Sequence, residues 1–333
     1  MRYWQRAMIF CARHGGLTAA VHGSSFMTRF SRQFVAAEDG RGAVERMVQL
    51  RAEGRRGSLF YLGEYVESAQ EVEATVQALL AGIPLLASSG LDVHVSVDPT
   101  QIGSMLSWEL CRENAQRLAE AIRDSVQDAA PSASFGWPDA SRDRQEVSRS
   151  MLMLDMEDSS VTQPTLDLYH ALHDAGLPVA VTVQSYLHRT TDDLAALVAK
   201  GAAVRLVKGA FAEPASRAHV RRADVDDAYR LHMTMLFSSA ARETGVYPVL
   251  GTHDERMMRF GASLAQVGGW SSDGWEVEML LGVRPAVQQR LVRQGTALRL
   301  YCPFGQSWWP YSVRRIGENP RNALFVLRSI AGV

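Results

Sequence analysis

The sequence predicts an α/β fold in which eight strand–helix units close into a barrel. Three observations support this. Short apolar runs alternate with long helical patterns, the alternation repeats eight times, and no GxGxxG turn marks an open dinucleotide-binding sheet. Strict alternation implies parallel strands joined by right-handed crossovers. An open doubly wound sheet is the alternative, but it usually needs fewer strands. The expected fold is therefore a TIM-type (β/α)8 barrel with N-terminal helices.

The predicted strands are nearly continuous apolar runs, as expected when both faces of a parallel sheet are covered. In chain order they span residues 58–62, 93–97, 151–155, 178–183, 203–207, 247–251, 275–280 and 298–302. A helical pattern follows each of them. These patterns cover residues 67–82, 108–122, 165–176, 192–201, a long region that ends at Thr244, 255–266, 284–295 and 312–318.

The chain is expected to form one domain overall. Residues 1–57 are predicted to be an N-terminal helical segment and residues 58–333 the catalytic barrel. Residues 126–148 interrupt the alternation of predicted strands and helices with a stretch rich in Ser, Ala, Pro and Asp. This composition predicts a surface loop before the third strand. A linker between two domains is the alternative, although the sequence on neither side of it looks like a complete domain.

Composition excludes several classes of protein. The chain is 47% hydrophobic, which is enough for a large core and excludes a disordered or fibrous protein. Thirty-five basic and 36 acidic residues give a net charge of −1, so no nucleic-acid partner is expected. Three scattered cysteines favour a reducing compartment without disulfides.

No apolar run in the sequence approaches the ~18 residues of a membrane span, so a cytoplasmic protein is expected. The first 16 residues place arginines beside Trp4, Ile9 and Phe10. A helix packed on the body of the protein explains this pattern. The alternative is an amphipathic helix in peripheral contact with the inner membrane face.

Polar residues cluster where the predicted strands end, which is where α/β barrels place their chemistry. The candidates there are Glu64, Asp98, Asp155, Gln184, Lys208, Thr252, His253 and Tyr301. The sequence contains no GxSxG, GxxxxGK[ST] or HExxH motif, so a serine nucleophile, a phosphate loop and a metal site are not expected. A hydrolase built on Asp155 and Glu157 is a nonspecific alternative.

The eighth helical pattern carries two adjacent arginines. Tyr311, Arg314, Arg315 and Glu318 follow one another at spacings that place them on one helix face. Guanidinium groups bind carboxylates bidentately, so Arg314 and Arg315 suit a substrate carboxylate. The alternative is an exposed Arg–Glu pair that contributes a few tenths of a kcal/mol to helix stability.

Arg205 lies inside an otherwise apolar strand. An unpaired charge buried there is very costly, so Arg205 must meet an anion inside the barrel. A structural Asp or Glu is one candidate for that anion. A phosphate, or a cofactor that becomes anionic on reduction, is the other.

Several segments, in order along residues ~34–322, resemble the proline dehydrogenase family. The matching pieces include YLGE at 61–64, LDMED at 154–158, VRLVKGAF at 204–211, LYCPFG at 300–305 and RRIGENPRN at 314–322. The resemblance implies a distorted (β/α)8 barrel that holds FAD non-covalently. It also implies oxidation of L-proline to 1-pyrroline-5-carboxylate by hydride transfer to flavin N5, with the electrons passed to a quinone or another acceptor.

The resemblance also implies roles for residues at matching positions. The substrate-binding set is Arg314 and Arg315 on the carboxylate, Tyr301 and Leu280 along the amino-acid ring, Asp155 organising the arginines, and Asp98 and Tyr311 nearby. Glu64 and Glu318 would form a gate, in which Glu64 pairs with one of the two arginines. The cofactor-binding set is Gln184 and Arg205 on the isoalloxazine, with Lys208, Thr252 and His253 on the rest of FAD.

The chain departs from the family pattern at the barrel mouth. Asp98 stands where a lysine is usual, Phe211 where a tyrosine is usual and Glu278 where a glutamine is usual, and Phe60 replaces a common acidic residue. These changes leave three alternatives open. The substrate is proline with altered binding, or it is another amino acid or amine with an extra cationic group read by Asp98, or the chain is a non-catalytic flavin-binding barrel.

Overall fold

The structure, a computed structural model, describes residues 33–63, 66–129, 149–308 and 311. Within these ranges eight parallel strands form a closed barrel in sequential order. The strands are β1 (Arg56–Tyr61), β2 (His94–Val97), β3 (Met151–Leu154), β4 (Val179–Gln184), β5 (Ala203–Val207), β6 (Tyr247–Gly251), β7 (Glu276–Leu280) and β8 (Leu298–Phe304). The predicted (β/α)8 fold is confirmed.

Helices cover the outside of the barrel. They are α1 (Gly40–Ala52), α2 (Ala69–Ser88), α3 (Trp108–Ala129), α4 (Thr162–Asp174), α5 (Thr190–Ala199), α6 (Arg222–Leu236), α7 (Ser239–Thr244), α8 (Glu255–Val267) and α9 (Pro285–Arg293). The long region predicted before Thr244 is two helices. The break falls at Ser238, whose side chain accepts from the backbone N–H of Ala241 and begins a new helix. Helix α3 also runs four residues into the predicted loop.

The barrel closes where β8 pairs with β1 over six residues, from Arg56–Arg299 to Tyr61–Phe304. Helix α1 packs over this seam and buries Met47 and Leu50. Just before α1, the backbone N–H of Ala36 donates to the carbonyl of Pro303 at 2.7 Å. The prediction of an N-terminal helical segment over residues 1–57 stays a prediction, because residues 1–32 lie outside the described ranges.

The largest apolar core lies between the barrel and its helices, with Leu59, Leu79, Leu152 and Leu250 among its fully buried members. Since both faces of each strand are covered, the strands read as near-continuous apolar runs. A separate small cluster, which includes Met153, Ala203 and Val249, comes from strands β3 to β6. None of the helices within the described residues is long and apolar enough to cross a membrane.

The barrel is charged at its amino-terminal end. Arg299 is fully buried, and its Nε donates to Oε1 of Glu276 at 2.7 Å. Its Nη1 donates to the carbonyl of Gly57 and its Nη2 to Asp92. The opposite end, at the carboxyl termini of the strands, holds those of the predicted polar residues that the structure describes.

Candidate active site

Arg205 is the centre of the site. It lies on β5 next to Thr182 of β4 in the sheet register, and it is 4% exposed. Its Nε and Nη2 each donate to one oxygen of Glu278 at 2.8 Å, so the two side chains form a bidentate pair. Its Nη1 donates to Asp155. The anion that the buried charge requires is therefore a pair of structural carboxylates, which is the first of the two alternatives that the sequence left open.

Asp155 and Tyr301 extend this group towards the barrel mouth. Asp155 directly follows β3, and its backbone N–H donates to the carbonyl of Val97 at 2.9 Å, which holds the residue at the strand end. The Tyr301 hydroxyl donates to Oδ2 of Asp155 at 2.8 Å. The Tyr301 ring also lies 4.8 Å from the ring of Phe60, centroid to centroid. Asp155 thus joins an arginine to a tyrosine across the barrel.

Burial and charge set the protonation of this group. Burial alone would lower the pKa of Arg205, but Asp155 and Glu278 raise it above its ordinary value, so the guanidinium stays charged. Burial raises the pKa of Glu278, while the Arg205 charge opposes that rise. Burial and the nearby Asp155 and Asp98 carboxylates raise the pKa of Tyr301, so the phenol stays protonated and donates its hydrogen bond.

Asp98 directly follows β2, and its charge is close enough to Tyr301 to raise the pKa of that phenol. Its backbone N–H donates to Oε1 of Gln101 at 3.0 Å, within the turn that leads to α3. The carboxylate that replaces the usual lysine therefore lies within electrostatic reach of the tyrosine. Its position makes the local potential more negative than a lysine would.

Lys208, which directly follows β5, belongs to a second charged cluster. Its Nζ donates to Asp226 and, at 2.9 Å, to Asp254. Arg256 pairs with the same two carboxylates at 2.9 Å and 2.8 Å. The hydrogen bond from Arg256 lowers the pKa of Asp254, and Lys208 lowers it further. Two cations and two carboxylates thus hold the ends of β5 and β6 together.

Four other predicted residues lie at the same end of the barrel. Gln184 ends β4, and its Nε2 donates to the carbonyl of Glu157 at 2.7 Å. Thr252 follows β6, and its hydroxyl accepts from the backbone N–H of Asp254 at 3.1 Å. His253 directly follows Thr252 in the chain. Leu280, at the end of β7, is the register neighbour of Tyr301.

Tyr311 is 5% exposed. Glu64, Arg314, Arg315 and Glu318 lie outside the described residues, so the predicted carboxylate clamp and gate stay predictions. The role predicted for Asp155, organising those two arginines, is likewise untested. Within the described residues, the arginine that Asp155 contacts is Arg205.

The structure adds residues that the sequence analysis does not place in the site. In the sequence, Glu278 is only a departure from the family pattern, without a predicted role. A carboxylate within the strand 276–280 is nevertheless the same kind of signal as the charge of Arg205 within β5. Ser96 accepts from Nη2 of Arg205 at 2.9 Å, and Thr182 donates to Asp155 at 3.0 Å. Small hydroxyl residues within strands give no signal in sequence, because they are also common where nothing is bound.

The donor set at the strand ends fits a polar, anionic cofactor. Gln184, Lys208 and Thr252 place an amide, an ammonium and a hydroxyl at the ends of three consecutive strands. The backbone leaves β5 at Gly209 with φ of 108°, a left-handed value that favours glycine. Among the described residues, no group of three or more His, Cys, Asp or Glu is arranged to hold a metal ion.

The fold and the site define a class of protein, an α/β-barrel enzyme with a buried, charge-paired arginine at the carboxyl ends of its strands. A family model for proline dehydrogenase matches residues 43–328. The chain therefore belongs to the proline dehydrogenase family, as the resemblance in its motifs predicted.

Similar proteins cover nearly the whole chain. Proline dehydrogenase 2 of Bacillus subtilis is 27% identical over 316 residues, which are 92% of this chain and 95% of that protein. Proline dehydrogenase of Deinococcus radiodurans is 29% identical over 306 residues, 91% of each chain.

Among solved structures, proline utilization A from Bdellovibrio bacteriovorus, inactivated by N-propargylglycine, superimposes with a TM-score of 0.77 at 18% identity. The match covers 95% of this chain and 36% of that one, so this chain spans just over a third of the larger protein's length. At this identity the likeness establishes the fold.

Proposed function

We propose that this protein is an FAD-dependent dehydrogenase that oxidises L-proline to 1-pyrroline-5-carboxylate. The observation that carries the proposal is the hydrogen-bonded group of Asp155, Tyr301 and Arg205 at the barrel mouth. Its members are residues for which the family resemblance implies substrate and cofactor contacts. Family membership and the names of the relatives support the same reaction.

FAD would be held by Gln184, Lys208, Thr252 and His253, with Arg205 beside it as a buried charge whose own N–H groups stay on protein partners. When bound, it would supply the hydride acceptor for the C–H bond next to the ring nitrogen and the route for the electrons to a quinone or another acceptor. The chain itself supplies position and electrostatics. Arg205 would contribute a permanent positive charge that favours the more negative, reduced form of the cofactor.

The substrate would be held at the mouth by Tyr301 and Leu280, with Arg314 and Arg315 on its carboxylate. Tyr301 is kept protonated and is fixed by Asp155, so its ring presents one rigid face to the pocket. Because the Tyr301 ring is held in one position, part of the binding energy of the substrate would be used to orient its reacting C–H bond. The amine proton is expected to leave to water.

The test is anaerobic addition of L-proline to the purified protein, with absorbance followed at about 450 nm, where oxidised flavin absorbs. We expect rapid bleaching. Free FAD mixed with L-proline is the control and should stay yellow. A colourless protein that takes up no added FAD would contradict the proposal at the cofactor, and a yellow protein that L-proline does not bleach would contradict it at the substrate.

One observation favours a second candidate substrate. Asp98 directly follows β2 at the barrel mouth, within electrostatic reach of Tyr301, where its carboxylate would repel the carboxylate of proline and attract a cation. The second candidate is therefore an amino acid or amine with an extra cationic group, oxidised by the same flavin chemistry. Bleaching by such an amine, with L-proline inert, would select it.

A further inference from the structure

Glu278 is the closest partner of Arg205. It lies on β7, two strands away from Arg205 on β5, and both side chains are at most 5% exposed. Two hydrogen bonds of 2.8 Å join them in the bidentate arrangement that fixes both groups in one orientation. The contact crosses the barrel interior, so neither side chain can turn without breaking it.

The contacts account for every N–H of the guanidinium. An arginine carries five, one on Nε and two on each terminal nitrogen. Nε and one hydrogen of Nη2 go to Glu278, and the other hydrogen of Nη2 goes to the Ser96 hydroxyl at 2.9 Å. Nη1 reaches Asp155 and, at 3.5 Å, Thr182. Glu278 therefore takes two of the five donors and holds the half of the guanidinium that faces β7.

The charges in direct contact do not balance. Among the described residues, two carboxylates, Asp155 and Glu278, contact the one guanidinium of Arg205. The other two contacts, Ser96 and Thr182, are neutral hydroxyls. An amide at position 278 would leave the contact group neutral, because Arg205 and Asp155 would then cancel. Glu278 makes it negative.

We propose that Glu278 is a positioning residue that fixes Arg205 and offsets its charge, and that it thereby lowers the reduction potential of the bound flavin. This rests on the proposed flavin-dependent function. Two-electron reduction makes the flavin more negative, and a nearby cation favours that change while a nearby carboxylate opposes it. The effect is strong here because the group is buried, where charges are poorly screened.

The experiment is an anaerobic redox titration of purified flavin-loaded protein against a reference dye of known potential. The variants are Glu278→Gln and Glu278→Met, which remove the charge with side chains of similar size. Glu278→Asp keeps the charge but shortens the side chain. Glu113→Gln, at an exposed position on α3, is the matched control for loss of one carboxylate.

We expect the two neutral variants to shift the ratio of reduced to oxidised flavin at least tenfold towards the reduced form at a given dye ratio. For a two-electron couple this is about 30 mV. The flavin potential of Glu278→Asp should stay much closer to that of the unsubstituted protein than the potential of either neutral variant. Glu113→Gln should have the same flavin potential as the unsubstituted protein. This pattern assigns the shift to the charge at position 278.

Three results would overturn the proposal while leaving the proposed function intact. The neutral variants could bind flavin with unchanged potential. Glu278→Asp could shift the potential as far as Glu278→Gln. Both neutral variants could fail to fold while Glu278→Asp folds, which would make the pair purely structural. Absence of flavin from the unsubstituted protein is a different failure, because it is seen at purification and contradicts the proposed function itself.

Discussion

Tyr301 and Asp155 are joined across the barrel mouth by a hydrogen bond of 2.8 Å, in which the phenol donates to Oδ2 of the carboxylate. The second oxygen of Asp155 pairs with Arg205. Through Asp155, Tyr301, which is expected to line the substrate, is therefore connected with Arg205, which is expected to face the flavin. The two ends of the hydrogen bond come from β8 and from the end of β3, which are not neighbours in the barrel.

Replacing Tyr301 with Phe removes only this hydroxyl. A hydrogen bond to a charged group contributes about 1.5–3 kcal/mol, so we expect kcat/KM for L-proline to fall by about tenfold or more. Steady-state assays with an artificial electron acceptor measure it. Flavin content serves as the control and should change little, because the aromatic ring still packs on Phe60. Thermal unfolding measures separately the stability that is lost with the bond. Unchanged kinetics would separate the Tyr301–Asp155 bond from catalysis.

Replacing Asp98 with Lys reverses the charge beside Tyr301. Two like charges about 5 Å apart repel by about 3 kcal/mol at an effective dielectric of about 20, so the KM for L-proline should fall by at least about tenfold. Asp98→Asn should give an intermediate value, since it removes the repulsion without adding attraction. Assays at low salt maximise the effect. A higher KM for proline in Asp98→Lys would instead favour the substrate with an extra cationic group.

Replacing Arg299 with Met at the opposite end of the barrel is expected to destabilise the fold. Arg299 is fully buried, and its loss leaves Glu276 with Arg56 as a more distant cation, at 3.5 Å. Breaking a buried pair in this way costs about 3–5 kcal/mol of unfolding free energy. Guanidinium denaturation measures the cost.

The double variant Arg299→Met/Glu276→Leu should recover much of this loss, because the fully buried carboxylate of Glu276 is removed with its partner. Asp92 keeps Arg56 as a cation at 3.8 Å. Arg230→Met, which removes an exposed arginine on α6, is the control for arginine loss. A single variant at 299 that loses no more stability than this control would contradict the expectation.

His232 predicts a dependence of stability on pH. It is buried on α6, and burial together with the nearby His219 lowers its pKa to about 4. Below the ordinary histidine pKa of about 6.5, the unfolded chain binds a proton that the folded chain does not. Stability that is present above about pH 6.5 is therefore lost as the pH falls towards 4, by at most about 1.4 kcal/mol per pH unit from this residue.

Urea denaturation at a series of pH values measures this slope. His232→Gln should flatten it. The buried His94, whose pKa is also lowered, contributes to the slope with and without this substitution. An identical slope with and without His232 would exclude it as a source.

Strand positions were predictable because each strand is an apolar run between polar flanks. For β5 the predicted residues 203–207 are those observed, and β6 agrees equally well. The prediction ended β8 at Cys302, whereas the strand continues through Phe304. Those last two residues are strand because they pair with Phe60 and Tyr61, and pairing between distant segments leaves no local pattern.

Helix ends were less predictable. The sequence pattern predicts that α2 ends at residue 82. The helix continues to Ser88, because Ile83 and Leu86 extend its buried face past Pro84. The identity of the site residues was also only partly accessible. The motifs indicated Asp155, Arg205 and Tyr301, but no motif relates Arg205 to Ser96, which is 109 residues earlier in the chain.

The sequence by itself determined the number and order of the strands, the end of the barrel that carries the polar groups, and the requirement that Arg205 meet an anion. These follow from local pattern and from the cost of burying a charge. Only the tertiary structure decided which anion meets it. Asp155 and Glu278 lie 50 and 73 residues from Arg205, and they reach it because barrel closure brings β3, β5 and β7 around one interior. Distances across a closed barrel depend on strand register and closure, which no short segment of sequence encodes.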